Sequence, residues 1–204
     1  GLLAACRLEE CPLDSYAELN HPIQQSIRRW IAELTGLAAD DLTGGFDGCG
    51  LPVYAIPLRS LALLYARLAA PPANLEEDVR TMLDRITSAM NARPDLVEGT
   101  GRLASLLLRN NNCVAKSGAQ GLFALGLRKE GLGIMIKMSD GSESAWPVIL
   151  SDSLQQLASA GLLSLSAADQ LSQQIGESFP SSMYNDAGRL IGRRESDVTL
   201  QYAQ

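Results

Sequence analysis

Three short groups of residues in this sequence combine side chains that could do chemistry, and the first is Lys116-Ser117-Gly118. Its lysine lies in a run of small and apolar residues that predicts a β-strand, where a charged side chain is rarely buried without a partner. Desolvation can turn a lysine into a base, and serine acyl-transfer enzymes without histidine use lysine to receive the proton of the nucleophile. We therefore predict a catalytic role for Lys116. The alternative is a surface lysine that protects an edge strand from aggregation.

The second group is the loop Gly44-Gly-Phe-Asp-Gly-Cys-Gly-Leu-Pro52, in which five of nine residues are glycine or proline. The loop places Asp47 and Cys49 on either side of Gly48. A thiolate at this position suits zinc, and a carboxylate suits the ammonium group of a substrate. The alternative is an ordinary turn with a small buried cysteine.

The third group, Glu98-Gly-Thr-Gly-Arg102, places an arginine beside glycines. A guanidinium in such a turn suits the recognition of a carboxylate, and the alternative is the start of a helix with a solvated Arg102. The group is not a phosphate-binding loop, because the glycine-rich fingerprint after a strand is absent. The chain has a single histidine, His21, so a metal cluster built on several histidines is excluded. Because His21 precedes Pro22, we predict that it caps a helix.

Composition and charge exclude several classes of function. The 204 residues are 46% hydrophobic and 20% charged, as in an ordinary soluble globular protein. The net charge of −6 argues against nucleic-acid binding, which needs a basic surface. No run of about 18 apolar residues is present to span a membrane. The four cysteines are irregularly spaced, which favours free thiols in a reducing compartment and hence a cytoplasmic protein.

Hydrophobic periodicity predicts helices before and after a group of strands. Helices are predicted at 1–10, 22–36, 57–70, 74–93, 102–109, 144–161 and 166–175, strands at 113–116, 121–127, 131–138 and 195–202, and a loop at 37–56. This order predicts an α+β fold in which helices cover an antiparallel sheet, with residues 1–204 as a single domain. Because the sheet has few strands for this length, we expect it to take further strands from a partner segment.

Four segments, taken in series, resemble the bacterial L-asparaginase II family of the type typified by rhizobial inducible asparaginases. They are His21-Pro-Ile-Gln24, Phe46-Asp-Gly-Cys-Gly-Leu-Pro52, Glu98-Gly-Thr-Gly-Arg102 and Val114-Ala-Lys-Ser-Gly-Ala-Gln-Gly121. The resemblance implies a fold similar to that of the serine β-lactamases and DD-peptidases, with an incomplete N-terminal part. It also implies hydrolysis of L-asparagine to L-aspartate and ammonia through a serine acyl-enzyme.

The resemblance further implies roles for individual residues. Lys116 corresponds to the lysine of a second Ser–Lys pair beside the nucleophile. Asp47 and Gly48 correspond to the loop that meets the amino end of the substrate, and Cys49 corresponds to one of the three ligands of a zinc ion. Lys116 would be kept neutral by burial and by neighbouring cations, and it would face the same small cavity as Cys49.

The sequence departs from the family pattern at the nucleophile. In the family the nucleophilic serine lies in a Ser-x-x-Lys motif, and no such motif occurs in the 204 residues. We therefore expect the chain to correspond to the C-terminal portion of the fold, to carry one zinc ligand of the three, and to be inactive by itself. We also expect a homodimer or association with the N-terminal segment. Two alternatives stay open: another penicillin-recognising serine hydrolase, and a non-catalytic binding module.

Overall fold

The computed structural model describes residues 1–201, which contain eight α-helices and seven β-strands. The helices are α1 (Leu2–Leu8), α2 (Pro22–Thr35), α3 (Leu58–Ala69), α4 (Glu77–Ala92), α5 (Pro94–Glu98), α6 (Leu103–Leu108), α7 (Trp146–Ser159) and α8 (Leu165–Ser178). The strands are β1 (Thr43–Phe46), β2 (Pro52–Ala55), β3 (Cys113–Gly118), β4 (Leu122–Leu127), β5 (Leu132–Lys137), β6 (Ser182–Tyr184) and β7 (Leu190–Arg193). The strands form small antiparallel sheets, which confirms the predicted mixture of helices and antiparallel strands. Within residues 1–201, none of the helices combines the length and the hydropathy that crossing a bilayer requires.

Helix α2 shows how local sequence sets the ends of a helix. Its first residue is Pro22. Proline lacks a backbone N–H, and the N–H of the first helical residue would have no partner within the helix. The His21 ring accepts a hydrogen bond from the Ile23 amide at 3.1 Å, and Gly36 ends the helix in the left-handed conformation with a φ of 71°. These ends confirm the predictions for α2, including the capping role of His21.

The central sheet consists of β3, β4 and β5 in that order, paired antiparallel as predicted. Phe123, Leu125 and Leu127 of β4 lie on one face, where they join a buried cluster with side chains of α6, α7 and α8. At the start of α7, Trp146 packs on Phe123 with ring centroids 5.2 Å apart. Its indole N–H donates to the Gly121 carbonyl at 3.1 Å. This face of the sheet therefore carries a large hydrophobic core.

The opposite face of the central sheet is covered by α3, which rests on a pair of glycines. Gly126 and Gly133 lie in register across β4 and β5. A Cβ atom at Gly126 would collide with the Tyr65 carbonyl, and one at Gly133 would collide with the Ala62 carbonyl. The helix backbone therefore contacts the strands directly, which these glycines permit. Lys116 lies on this face too, because it is two residues from the β3 partner of Gly126.

The structure corrects one helix boundary and adds one helix. Helix α4 is preceded by Glu76 rather than by Asn74 as its N-cap residue. It ends at Ala92, which confirms the predicted end before Pro94. Pro94 then opens the short helix α5, which was not predicted and which ends with Glu98. Proline is favoured at the first helical position, where the N–H that it lacks would have no partner within the helix.

The prediction of a loop over residues 37–56 was wrong, because this segment contains the antiparallel hairpin β1–β2. Gly44 and Gly45 of β1 pair with Tyr54 and Val53 of β2. Glycine has a low intrinsic preference for strands, so the sequence signal of β1 is weak. Pairing with a strand of stronger preference supplies what the local signal lacks.

The predicted strand over residues 195–202 was also wrong, at least for 195–201, and Tyr202 lies outside the described residues. This segment runs along α7 and is held there by a side chain. The Gln156 amide group donates to the Val198 carbonyl at 2.6 Å and accepts from the Leu200 amide at 2.8 Å. These bonds take the place of a strand ladder, and the observed hairpin β6–β7 lies earlier in the chain.

Candidate active site

A polar cluster forms where α5 ends beside β3. The Glu98 carboxylate oxygen Oε1 accepts a hydrogen bond from the Lys116 ammonium at 2.9 Å and another from the Ser117 backbone N–H. The Lys116 ammonium also donates to the Ser117 carbonyl at 2.7 Å. The Glu98 side chain is only 4% exposed, whereas the Lys116 side chain is 42% exposed. The cluster is thus a buried carboxylate that holds a lysine at the protein surface.

The position of Glu98 is set by α5 and by the turn that follows it. Gly99 ends the helix directly after Glu98 with a φ of 86°, a conformation that favours glycine. The buried Ser105 hydroxyl of α6 lies within hydrogen-bond distance of the Gly99 carbonyl, at 2.6 Å, and of the Pro94 carbonyl, at 3.1 Å. These contacts tie both ends of α5 to α6, so the backbone that carries Glu98 is held against the core.

Side chains bond to three outward-facing backbone groups of β3, which is an edge strand within residues 1–201. The Asn91 amide group donates to the Cys113 carbonyl at 2.9 Å. Glu98 accepts from the Ser117 N–H, and Lys116 donates to the Ser117 carbonyl. The cluster therefore also blocks this edge to pairing with another strand, which is the structural role that we considered as the alternative for Lys116.

Opposing effects act on the charge of Glu98. Burial is the largest of them and raises the pKa of this carboxyl. Hydrogen bonds from Ser117 and Lys116, together with the charge of the lysine, outweigh burial and lower the pKa below its ordinary value of 4.5. Burial, followed by the negative charge of Glu98, raises the pKa of the Tyr65 phenol to about 12. At neutral pH, Glu98 is therefore an anion and Tyr65 a neutral phenol.

The surroundings of Lys116 differ from those expected for a neutral lysine. Its side chain is 42% exposed, and the adjacent charge is the Glu98 carboxylate, with 2.9 Å between the nitrogen and the oxygen. The charged neighbour of Lys116 is thus an anion and not a cation. The described residues thus do not supply the burial and the neighbouring cations that we expected around Lys116.

A cleft of about 490 Å³ is lined by Glu98 and by residues of α6 and α7. The Arg102 guanidinium lies in its lining and pairs with the Glu143 carboxylate at 2.6 Å. Arg194 also lines the cleft, and Trp146 contributes to its apolar wall. Arg102 is the N-cap residue of α6, so the alternative of an arginine at a helix start fits its position. We predicted that the Arg102 guanidinium binds a carboxylate of a ligand, and in this structure it binds the Glu143 carboxylate of the protein.

The second predicted group lies at the tip of the β1–β2 hairpin, in a sheet of its own. The Asp47 oxygen Oδ1 accepts hydrogen bonds from the backbone N–H groups of Cys49, at 2.9 Å, and of Leu51, at 3.0 Å. Aspartate stabilises many turns in this way. Asp47, Gly48 and Cys49 are all exposed. The loop is therefore a turn, as one of our two interpretations required, but its cysteine is not buried.

The structure brings Lys116 together with Glu98 and does not bring it together with the hairpin tip. Among residues 1–201, no hydrogen bond or ion pair connects Lys116 with Asp47 or Cys49. The cavity that we expected Lys116 and Cys49 to share is therefore not formed by direct contacts of the described residues. The roles predicted for these two residues stay predictions.

Sequence reasoning missed Glu98 as a member of the candidate site. The motif Glu98-Gly-Thr-Gly-Arg102 suggested a role for its arginine alone. Glu98 and Lys116 are 18 positions apart, and they belong to a helix and a strand that follow different periodicities. No spacing rule predicts such a contact, although a lone acid just before a glycine turn is a weak signal of a fixed carboxylate.

Cys49 is the predicted zinc ligand, and its surroundings bear on a metal site. Within residues 1–201, no three histidine, cysteine, aspartate or glutamate side chains lie close enough together to hold a metal ion. The Cys49 thiol is free and exposed, so ligands from another segment can reach it. The described residues therefore do not form a zinc site by themselves.

These features define a mixed α and β protein in which a lysine–carboxylate pair on an edge strand is the candidate active site. The model of the family described as L-asparaginase II matches residues 1–193, and the chain belongs to that family. The match confirms the resemblance carried by the four motifs. It supports an asparaginase-type amidohydrolase function in general, and the family implies asparagine as the substrate. No curated protein matches the chain.

Proposed function

We propose that the protein hydrolyses L-asparagine to L-aspartate and ammonia through a serine acyl-enzyme, with this chain supplying part of the active site. The family match over residues 1–193 carries the proposal. The Lys116 ammonium supports it, because it lies at the protein surface and is oriented by a buried carboxylate.

The reaction takes place in two steps. In the first, the serine hydroxyl oxygen attacks the side-chain amide carbon and the C–N bond breaks. The proton lost by the hydroxyl is transferred to the leaving nitrogen, which departs as ammonia. In the second, water attacks the ester carbon, and aspartate is released as the serine regains its proton. Lys116 transfers these protons. Because the Glu98 carboxylate accepts one N–H of Lys116 and leaves the side chain partly exposed, donation of a proton to the leaving nitrogen is the role that this geometry favours.

The nucleophile comes from a segment outside these 204 residues, since they contain no Ser-x-x-Lys motif. The partner segment, from the N-terminal part of the same fold or from a second copy in a homodimer, adds strands to the sheet. Within residues 1–201 the second edge strand of the central sheet is β5. Its sequence Leu132-Gly-Ile-Met-Ile-Lys137 has no proline and only a terminal charge, so few features oppose pairing. The completed fold is similar to that of the serine β-lactamases and DD-peptidases, with residues 1–204 in one domain of a cytoplasmic protein.

The hairpin tip supplies contacts to the substrate and to a metal in this proposal. Asp47 and Gly48 meet the amino end of asparagine, and the exposure of both residues is compatible with that role. Cys49 is one zinc ligand, and the partner segment supplies the others. Zinc bound by the full-length protein, and lost in Cys49→Ser but retained in Cys11→Ser, is the expected result of elemental analysis.

Ammonia release from L-asparagine by the full-length protein tests the proposal. We expect Lys116→Ala to lower the rate by about 10²-fold or more, because it removes the group that transfers protons. Lys129→Ala is the matched control, since this exposed lysine lies at the turn between β4 and β5. Circular dichroism must show that both variants are folded. A folded Lys116→Ala protein with wild-type turnover would contradict the role of Lys116.

The same preparation separates the two alternatives. Hydrolysis of the β-lactam nitrocefin without ammonia release from asparagine would identify a different penicillin-recognising hydrolase. Asparagine binding in calorimetry without any turnover would identify a non-catalytic binding module.

A further inference from the structure

We infer that Glu98 is a positioning residue for Lys116: its buried carboxylate holds the ammonium against β3 and leaves one N–H of that group free to contact the substrate. The inference rests on the proposed function of Lys116 and extends it to a second residue. Glu98 has no direct contact with substrate in this assignment and acts only through Lys116.

Counting hydrogen-bond donors supports the free N–H. A lysine ammonium carries three N–H donors. The structure uses two of them, one to Glu98 Oε1 at 2.9 Å and one to the Ser117 carbonyl at 2.7 Å. Because the Lys116 side chain is 42% exposed, the third donor is accessible from outside. Glu98 thus fixes the ammonium without using all of its donors.

The surroundings of Glu98 make it a rigid support. Its side chain is 4% exposed, and the same oxygen that accepts from Lys116 also accepts from the Ser117 amide. The carboxylate therefore bonds to both the side chain of Lys116 and the backbone that follows it. The Ser105 hydroxyl braces α5 from the other side. A flexible surface acid would lose more side-chain entropy on holding a lysine in one geometry.

The groups that face Glu98 leave the ion pair as the dominant local charge. Lys116 approaches from β3, and Tyr65 approaches from α3 as a neutral phenol. In the adjoining cleft, Arg102 is paired with Glu143 at 2.6 Å, and Arg194 lies further along the lining. Removing the charge of Glu98 would therefore leave the Lys116 ammonium without its anionic neighbour. Of the two hydrogen bonds that hold the ammonium, only the one to the Ser117 carbonyl would remain.

The experiment measures kcat and KM of ammonia release for the full-length wild type, Glu98→Gln and Glu98→Asp. We expect Glu98→Gln to lower kcat by about tenfold or more, with KM changed by no more than about twofold, because the lost contact is not to the substrate. Glu98→Asp keeps the charge but shortens the reach, so it should recover only part of the rate.

Glu130→Gln is the control for loss of an acid elsewhere. Glu130 is a half-buried residue that accepts a hydrogen bond from the Asn112 amide at 2.9 Å, and it lies away from Lys116 at the β4–β5 turn. We expect it to leave kcat and KM unchanged. Wild-type kcat in folded Glu98→Gln would overturn the inference, as would equal effects of Glu98→Gln and Glu130→Gln.

A readout without turnover separates this inference from the proposed function. The side chains of ¹³C-labelled lysines can be observed by NMR, and Lys116→Arg assigns the Lys116 resonances. If the wild type releases no ammonia but the Lys116 chemical shifts change in Glu98→Gln and not in Glu130→Gln, the pairing stands and the proposed function fails. If ammonia is released and neither the Lys116 chemical shifts nor kcat changes in Glu98→Gln, the proposed function stands and the positioning role fails.

Discussion

Lys116 is held at the edge of β3 by a residue from another element, whereas Asp47 and Cys49 lie at a hairpin tip whose hydrogen bonds stay within the loop. The Glu98 contact joins positions 18 residues apart. The Asp47 contacts join positions only 2 and 4 residues apart. The first region depends on the packing of α5, α6 and the sheet, and the second depends on local turn chemistry. Changes that disturb packing should therefore affect the Lys116 region far more than the hairpin tip.

The largest expected difference between the Lys116 region and the hairpin tip is in the reactivity of their thiols. Cys113 begins β3 and is buried, and burial, followed by the charge of Glu130, raises its pKa to about 12. At pH 8 only about one part in 10⁴ of such a thiol is the reactive thiolate. Cys49 is exposed. We expect iodoacetamide to label Cys49 at least about 10³-fold faster than Cys113 in native protein, as measured by mass spectrometry of the peptides. Similar labelling rates under native conditions would show that β3 is not packed as described.

The glycines of the two regions should respond differently to a single methyl group. Gly133→Ala would force a Cβ atom against the Ala62 carbonyl of α3. We expect it to lower the free energy of unfolding by about 3 kcal/mol, the upper end for overpacking. Gly48→Ala at the hairpin tip meets no atom within 4 Å, so a change within about 0.5 kcal/mol is expected. Urea unfolding measures both, and equal effects would contradict the direct contact between α3 and the sheet.

The smallest of the three effects is the pH dependence that Glu98 adds to stability. Its pKa in the folded protein is lowered below the ordinary value of 4.5. The stabilisation is therefore fully present above that ordinary value and is lost as the pH falls through the lower, folded-state value. We expect Glu98→Gln to cost about 1–3 kcal/mol at pH 7 and to flatten the loss of stability as the pH falls below the ordinary pKa of 4.5. Asp47→Asn at the exposed turn serves as the comparison. The measurement is the urea midpoint of each variant as a function of pH. If the midpoint of Asp47→Asn varied with pH in the same way as that of Glu98→Gln, burial would not distinguish the two acids.

Several features of the fold could be predicted because their signals are local. The cap at His21, the start at Pro22 and the left-handed Gly36 each depend on contacts within one helical turn. The strands of the central sheet follow from apolar runs bounded by turn residues. The hairpin β1–β2 was missed because Gly44 and Gly45 conceal a strand that exists only through its pairing.

The candidate site also contains features with local sequence signals and features that depend on contacts between elements. The Lys-Ser-Gly triplet and its place at the end of a strand could be read from residue types, and so could the turn around Asp47. The charge environment of Lys116 could not, because its partner comes from α5, an element that the sequence pattern did not reveal. We predicted cations beside Lys116, and the structure places the Glu98 carboxylate there instead.

The sequence by itself determined the helices with strong caps, the three-stranded meander and, through four motifs in series, the membership of the L-asparaginase II family. Those features depend on interactions between near neighbours or on residue identity alone. Only the tertiary structure decided that Glu98 is buried beside Lys116 and that α3 lies directly on Gly126 and Gly133. The physical reason is that burial and pairing across 18 or more positions depend on how whole elements pack, and this packing leaves no periodic trace in the chain.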